Sequence, residues 1–104
     1  MAQRSIAYRI EYSPEAEDHL MCLTKHQQTR VLDAVDRQLA HEPTLETRHR
    51  KKMRPNPVAP WELRIGDLRV YYEVEERPRK LVNILAVGEK DRNTVRIAGE
   101  IIKL

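Results

Sequence analysis

Two arginines, Arg64 and Arg69, bracket the dipeptide Gly66-Asp67 in the run Trp61-Glu62-Leu63-Arg64-Ile65-Gly66-Asp67-Leu68-Arg69-Val70-Tyr71-Tyr72-Glu73-Val74. Gly followed by a polar residue suits a two-residue hairpin loop. With that loop, Ile65 pairs with Leu68, Arg64 with Arg69, Leu63 with Val70 and Glu62 with Tyr71. Strand side chains alternate between faces. The apolar pairs therefore turn one way, and Glu62, Arg64, Arg69 and Tyr71 share the other face. Like charges directly opposite each other destabilise a hairpin. Two guanidiniums held side by side nonetheless make a fork suited to a phosphate. The plain alternative is a surface network in which Glu62 and Glu73 neutralise the pair. If the pair serves a phosphate, Arg69→Ala should leave stability unchanged or slightly raised, within about 1 kcal/mol, while lowering activity about 10²–10³-fold.

Cutting RNA through its own 2′-OH requires a base for the hydroxyl proton, cations for the phosphorane and an acid for the leaving 5′-oxygen. Arg64 and Arg69 suit the middle role. Arginine is a poor base because its pKa lies above about 12. Glu62 is the carboxylate beside the pair and the candidate base, and Lys90 and His49 are candidate acids. The cluster Arg48, Arg50, Lys51, Lys52 and Arg54 runs directly into the hairpin. Lys51, Lys52 and Arg54 could extend a track for a nucleic-acid backbone, with an ordinary solvated loop as the alternative. Tyr71 could stack a base, or be only a half-exposed strand tyrosine. Arg92 and Arg96 extend the candidate substrate contacts beyond Lys90. Other chemistries find little support. Glycine occurs only at 66, 88 and 99, which leaves no phosphate-cradling loop. No His/Cys/carboxylate set has metal-ligand spacing, no Ser-His-Asp arrangement can be argued, and no cofactor is expected.

The chain has 104 residues, room for one domain spanning 1–104. Charged residues make up 34% of it, so most of the surface is charged. Residues 1–43 carry five Lys/Arg against seven Asp/Glu, and residues 44–104 carry fourteen against nine. Positive charge in the second half points to an anionic partner there. The single cysteine, Cys22, excludes a disulfide framework, and its apolar neighbours Leu20, Met21 and Leu23 suggest a buried small hydrophobe. Met1-Ala2-Gln3-Arg4-Ser5 leads into no apolar stretch of a signal peptide, and no run approaches the ~20 apolar residues of a membrane span. A cytoplasmic location, away from membranes, is the expectation.

Several elements must position the site. Tyr8, Ile10 and Tyr12 alternate as in a strand. Ser13-Pro14-Glu15 starts a helix with Ala16, Leu20 and Leu23 on one stripe. Thr24 and Gln27 form a capping box for a second helix, with Val31, Leu32, Val35 and Leu39 inward and Pro43 beyond its end. Residues 44–60 read as a basic loop with a short edge segment. Two hairpin strands follow, then a turn at Glu76-Arg77-Pro78-Arg79. Leu81 to Val87 is apolar on both faces, as a central strand should be. Asn93 to Ala98 suggests a short helix that Gly99 would stop. The order predicts an α+β fold: an N-terminal strand, an α-helical hairpin, then an antiparallel β-meander. The helices should pack on one sheet face and leave the other partly open.

At these residues the chain resembles the RelE/ParE toxin family, over nearly its whole length from Tyr8 to about Ile102. The most specific stretch is Trp61 to Val74. A second is Ala86-Val87-Gly88-Glu89-Lys90-Asp91-Arg92-Asn93, and Tyr12-Ser13-Pro14-Glu15-Ala16 is similar as well. The resemblance implies a sheet packed on a helical hairpin. It also implies one of two activities. RelE-like members cut messenger RNA in the ribosomal A site, without metal, through the 2′-OH. ParE-like members poison DNA gyrase. Either kind is neutralised by a cognate antitoxin, short and acidic, that wraps the toxin. Arg69 matches a basic position that RelE-like enzymes use on the transition state. Arg64 matches a second basic position, where a lysine proposed as the base can occur, and Lys90 matches an active-site arginine. Arg96 stands where a substrate-stacking tyrosine is common, and Glu62 where a lysine can occur. The three retained basic positions favour the ribonuclease, with ribosome and messenger RNA as partners, over a gyrase inhibitor or a catalytically decayed, RNA-binding member of the family.

Overall fold

The computed structural model describes residues 7–103. The N-terminal segment, read above as too polar for a signal peptide, lies outside the described residues. The chain runs β1 (Arg9–Tyr12), α1 (Pro14–Met21), α2 (Lys25–Leu39), β2 (Arg50–Lys52), β3 (Trp61–Ile65), β4 (Leu68–Glu75), β5 (Leu81–Asp91), β6 (Thr94–Ile97) and β7 (Glu100–Ile102). It is an α+β fold, as expected. The strands form one sheet in the order β2-β3-β4-β5-β6-β7, antiparallel throughout, with β1 added parallel to the first half of β5.

Local chemistry explains the helix starts. Ser13 Oγ accepts from Ala16 N at 3.0 Å, with Pro14 at the first helical position. Thr24 and Gln27 close the capping box reciprocally, at 3.1 and 3.0 Å. Ala16, Val31, Val35 and Leu39 of the helices bury against Leu63, Leu68, Val70, Tyr72, Val82, Ile84 and Val87 of the sheet. Leu32, placed on that stripe from the sequence, lies at its margin and is 43% exposed. Cys22 is exposed, not buried. It caps the C-terminus of α1, and Leu20 and Leu23 on either side take the inward positions.

The second sheet face is open only toward the hairpin end. Ala59, Tyr71, Ala86, Val95 and Ile97 form a second buried cluster there, with Met53, Val58, Leu85 and Ile102 against it. Residues 53–60 fold over this face. Asn56 pins them, its Oδ1 accepting from Val58 N and Ala59 N and its Nδ2 donating to Arg54 O and Ala59 O. The tail also differs from expectation. Thr94, Val95 and Ile97 form β6 instead of a helix, because β-branched residues favour strands. Ala98 and Gly99 both take positive φ, 51° and 84°, the pattern of a two-residue hairpin turn into β7.

β5 holds the feature that decides the site. Tyr71 pairs with Ala86 but Tyr72 with Ile84, so Leu85 is an extra residue, a β-bulge. The bulge reverses the facing of every later residue. Val82 and Ile84 point to the helices, and beyond the bulge Val87 does so as well. Ala86, Gly88 and Lys90 are thereby turned to the face of Arg69.

Candidate functional site: a basic cleft at the hairpin end

The β3–β4 register is the one the two-residue loop requires: Glu62↔Tyr71, Leu63↔Val70, Arg64↔Arg69 and Ile65↔Leu68. Gly66 takes φ 57° while Asp67 stays out of the left-handed region, the requirement of a turn with glycine first. Lys90 N donates to Asp67 O at 2.7 Å, tying the far half of β5 to this turn. Lys90 is thus carried to the Arg pair by the bulge and anchored by its own backbone.

Glu62, Arg64, Arg69 and Lys90 line one cleft of about 190 Å³, together with Met53, Asn93, Thr94 and Val95. Glu62 is 6% exposed, and its Oε1 accepts from Arg64 Nε at 2.8 Å. This ion pair gives the buried carboxylate a hydrogen-bond partner and leaves the rest of the Arg64 guanidinium toward solvent. Arg69 departs from the expected free fork. It is 7% exposed, and its Nη1 donates to Gly66 O at 2.7 Å and Leu68 O at 2.9 Å. One edge of the guanidinium braces the turn, and the Nε and Nη2 edges remain for a ligand. The expectation that Arg69 could be removed without loss of stability is therefore corrected. Lys90 is exposed and has no carboxylate within 4.0 Å among the described residues.

Tyr71 is corrected too. It is wholly buried in the second cluster and offers no ring face to a base. The loop of residues 53–60 covers it. Its hydroxyl sits beside Glu62 without a well-formed hydrogen bond, and burial first, then the Glu62 charge, pushes its pKa far up. Arg96 lies outside the cleft. It follows Val95 on β6, so it turns to the opposite side, where it pairs with Asp91 at 2.9 Å and lines a different cleft with His19 and Cys22. Arg92 is exposed at φ 58° in the β5–β6 turn. Lys51 pairs with Glu62 across β2 and β3, which puts it on the face of the cleft. Lys52 and Arg54 border a separate, mostly apolar groove with Met53, Pro55, Val58 and Leu85. Arg50 is structural: its Nη1 donates to Gln38 O at 2.6 Å and its Nε to Leu45 O at 2.9 Å. His49 does not line the Arg69 cleft but a neighbouring one with Arg64. Asn93 and Thr94 do line it, although their sequence positions carried no chemical signal beyond that of a turn.

Helices on one face of a mostly antiparallel sheet, with a cation-rich cleft at the hairpin end, define a small α+β protein whose cleft suits an anionic ligand. The family model described as "ParE toxin of type II toxin-antitoxin system, parDE" matches residues 10–94. Among solved structures, the chain is similar to the toxin–antitoxin complex RelBE2 of Mycobacterium tuberculosis, at 22% identity and TM-score 0.70, covering 82% of this chain and 100% of that one. It is also similar to the archaeal RelE–RelB complex of Pyrococcus horikoshii, at 26% identity and TM-score 0.64, covering 82% and 97%. No curated protein sequence matches it. The chain belongs to the RelE/ParE family and is a toxin of a type II toxin–antitoxin system.

Proposed function

We propose that this toxin is a messenger RNA endoribonuclease that works on the ribosome and cleaves through the RNA's own 2′-OH. The observation that carries the reading is the meeting of Glu62, Arg64, Arg69 and Lys90 in one cleft. In the proposed step the 2′-oxygen attacks the adjacent phosphorus and its proton passes to Glu62. A 2′,3′-cyclic phosphate forms as the P–O5′ bond breaks. Lys90 delivers a proton to the departing 5′-oxygen. Arg64 and the free edge of Arg69 hold the non-bridging oxygens as charge builds on them. No group in this set is a base free of other ties, because Glu62 is held by Arg64. Positioning of the 2′-OH by the ribosome would supply what the base lacks, and positioning can contribute several kcal/mol. Among the described residues no helix is long and apolar enough to cross a membrane. A cognate antitoxin, short and acidic, is the expected partner, laying carboxylates near the basic face. Among the solved structures this chain is similar to, one is described as a toxin–antitoxin complex and another as a RelE–RelB complex.

A second reading is inhibition of DNA gyrase, which the match to a ParE family model favours. Induction in a host lacking the antitoxin separates the two. Primer extension on a reporter message reads cleavage, and the topology of plasmid DNA reads gyrase arrest. New 5′ ends that need ribosomes support the ribonuclease. Intact messages with broken or relaxed plasmid transfer the assignment to gyrase.

A further inference from the structure

β2 pairs with β3 only as far as Arg50 opposite Leu63. Past that point one backbone bond, Arg64 N to His49 O at 2.8 Å, closes the edge. The last residues of β3 are left with an uncovered flank, and α2 overhangs it. The result is a second cleft of about 300 Å³, lined by Arg30, Asp33 and Arg37 of α2 and by His49, Arg64 and Gly66. Arg30, Asp33 and Arg37 are spaced to fall on one helix face.

We infer that this cleft is a second phosphate site, holding the RNA backbone next to the linkage cleaved in the first; the inference rests on the proposed ribonuclease reading. Three guanidiniums face it against the single carboxylate of Asp33, so the cleft is positive. Arg30 and Arg37 have no carboxylate within 4.0 Å among the described residues, unlike Arg9, Arg64 and Arg96, which do. Arg30 is exposed, but its guanidinium lies against the hairpin turn. Its Nη2 lies 2.8 Å from where a Cβ on residue 66 would stand, so the bare Gly66 lets the guanidinium settle over the turn. Arg64 joins the two sites. Its Nε is held by Glu62, and the side chain lines both clefts. A strand whose phosphate is seated at Arg64 and Arg69 therefore has its neighbouring phosphate led toward Arg30 and Arg37. The lining offers no Tyr or Trp ring, which suits a sugar–phosphate backbone better than a base.

The test is binding of a labelled single-stranded RNA, read by fluorescence anisotropy over a salt series. It compares the wild-type chain, the double variant R30Q/R37Q and the charge-matched control R77Q/R79Q. Arg77 and Arg79 are exposed in the turn at the other end of β4. All four arginines are exposed, and melting curves check that each variant is folded. R30Q/R37Q should weaken binding about tenfold and lower the log–log salt slope by about one to two, the loss of one or two phosphate contacts. In ribosome-dependent cleavage it should raise KM and leave kcat near wild type. The control should keep the wild-type slope. A wild-type slope in R30Q/R37Q, or an equal fall in both double variants, overturns the second site while leaving the ribonuclease standing. A wild-type chain with no affinity for RNA and no cleavage overturns both.

Discussion

Arg69 is both a cation of the proposed site and a brace of the hairpin that builds it. Truncating it to alanine removes two charged hydrogen bonds, to Gly66 O and Leu68 O. Such bonds contribute about 1.5–3 kcal/mol each when the acceptor is left dry. Gly66 is exposed and its carbonyl can turn to water, which reduces the first loss. Relief of the opposed Arg64 returns a few tenths to about 1 kcal/mol. The net expectation for Arg69→Ala is a loss of about 1–2 kcal/mol, or roughly 4–16 °C in Tm for a domain of this size. Cleavage of ribosome-bound message should fall about 10²–10³-fold, as for loss of one donor to a charged transition state. Arg69→Lys should recover more stability than activity, since an ammonium can reach a turn carbonyl but cannot also present a fork. Melting curves and cleavage rates on the same preparations make the comparison. A fully stable Arg69→Ala would refute the bracing role, and a stable, fully active one would move the site elsewhere.

Other outcomes follow from the same packing. Gly88→Ala would put its Cβ 2.5 Å from Arg96 O and 2.8 Å from Ile97 Cγ1, so β6 must shift, and chemical denaturation should show a loss of about 1–3 kcal/mol. Tyr71→Phe removes a buried hydroxyl without a well-formed hydrogen bond, so stability should hold or rise by up to about 1 kcal/mol and toxicity should persist; lost toxicity in a folded variant would restore a direct role for the hydroxyl. His19 Nδ1 accepts from Val87 N at 3.3 Å and needs the neutral ring, and burial lowers its pKa from the ordinary 6.5 although Asp18 and Glu15 pull upward. A lowered folded pKa means the unfolded chain binds the proton more readily, so this contribution is present above about pH 6.5 and lost as pH falls through that region. His19→Gln, which keeps an acceptor but does not titrate, should flatten the stability difference between about pH 7.5 and pH 5.5 relative to wild type.

What the residues determined by themselves was local. The Gly66-Asp67 loop admits one register, so Arg64 opposite Arg69 was legible in the sequence alone, as were the Ser13 and Thr24 caps. These features depend on neighbours in the chain and on backbone preferences that act over a few residues. Three things were settled only by tertiary packing. The bulge at Leu85 turns Lys90 to the Arg69 face, and nothing in an apolar run such as Leu81 to Val87 marks where an extra residue will sit. Tyr71 alternates correctly with its strand yet is buried, because residues 53–60 return over a face that alternation alone leaves open. The second basic cleft joins α2 to the uncovered end of β3, residues more than twenty-five positions apart in the chain, and charge spacing along a helix does not say what the helix overhangs. Pairing rules are short-ranged and can be read from the chain, whereas burial and convergence depend on how distant segments close over one another.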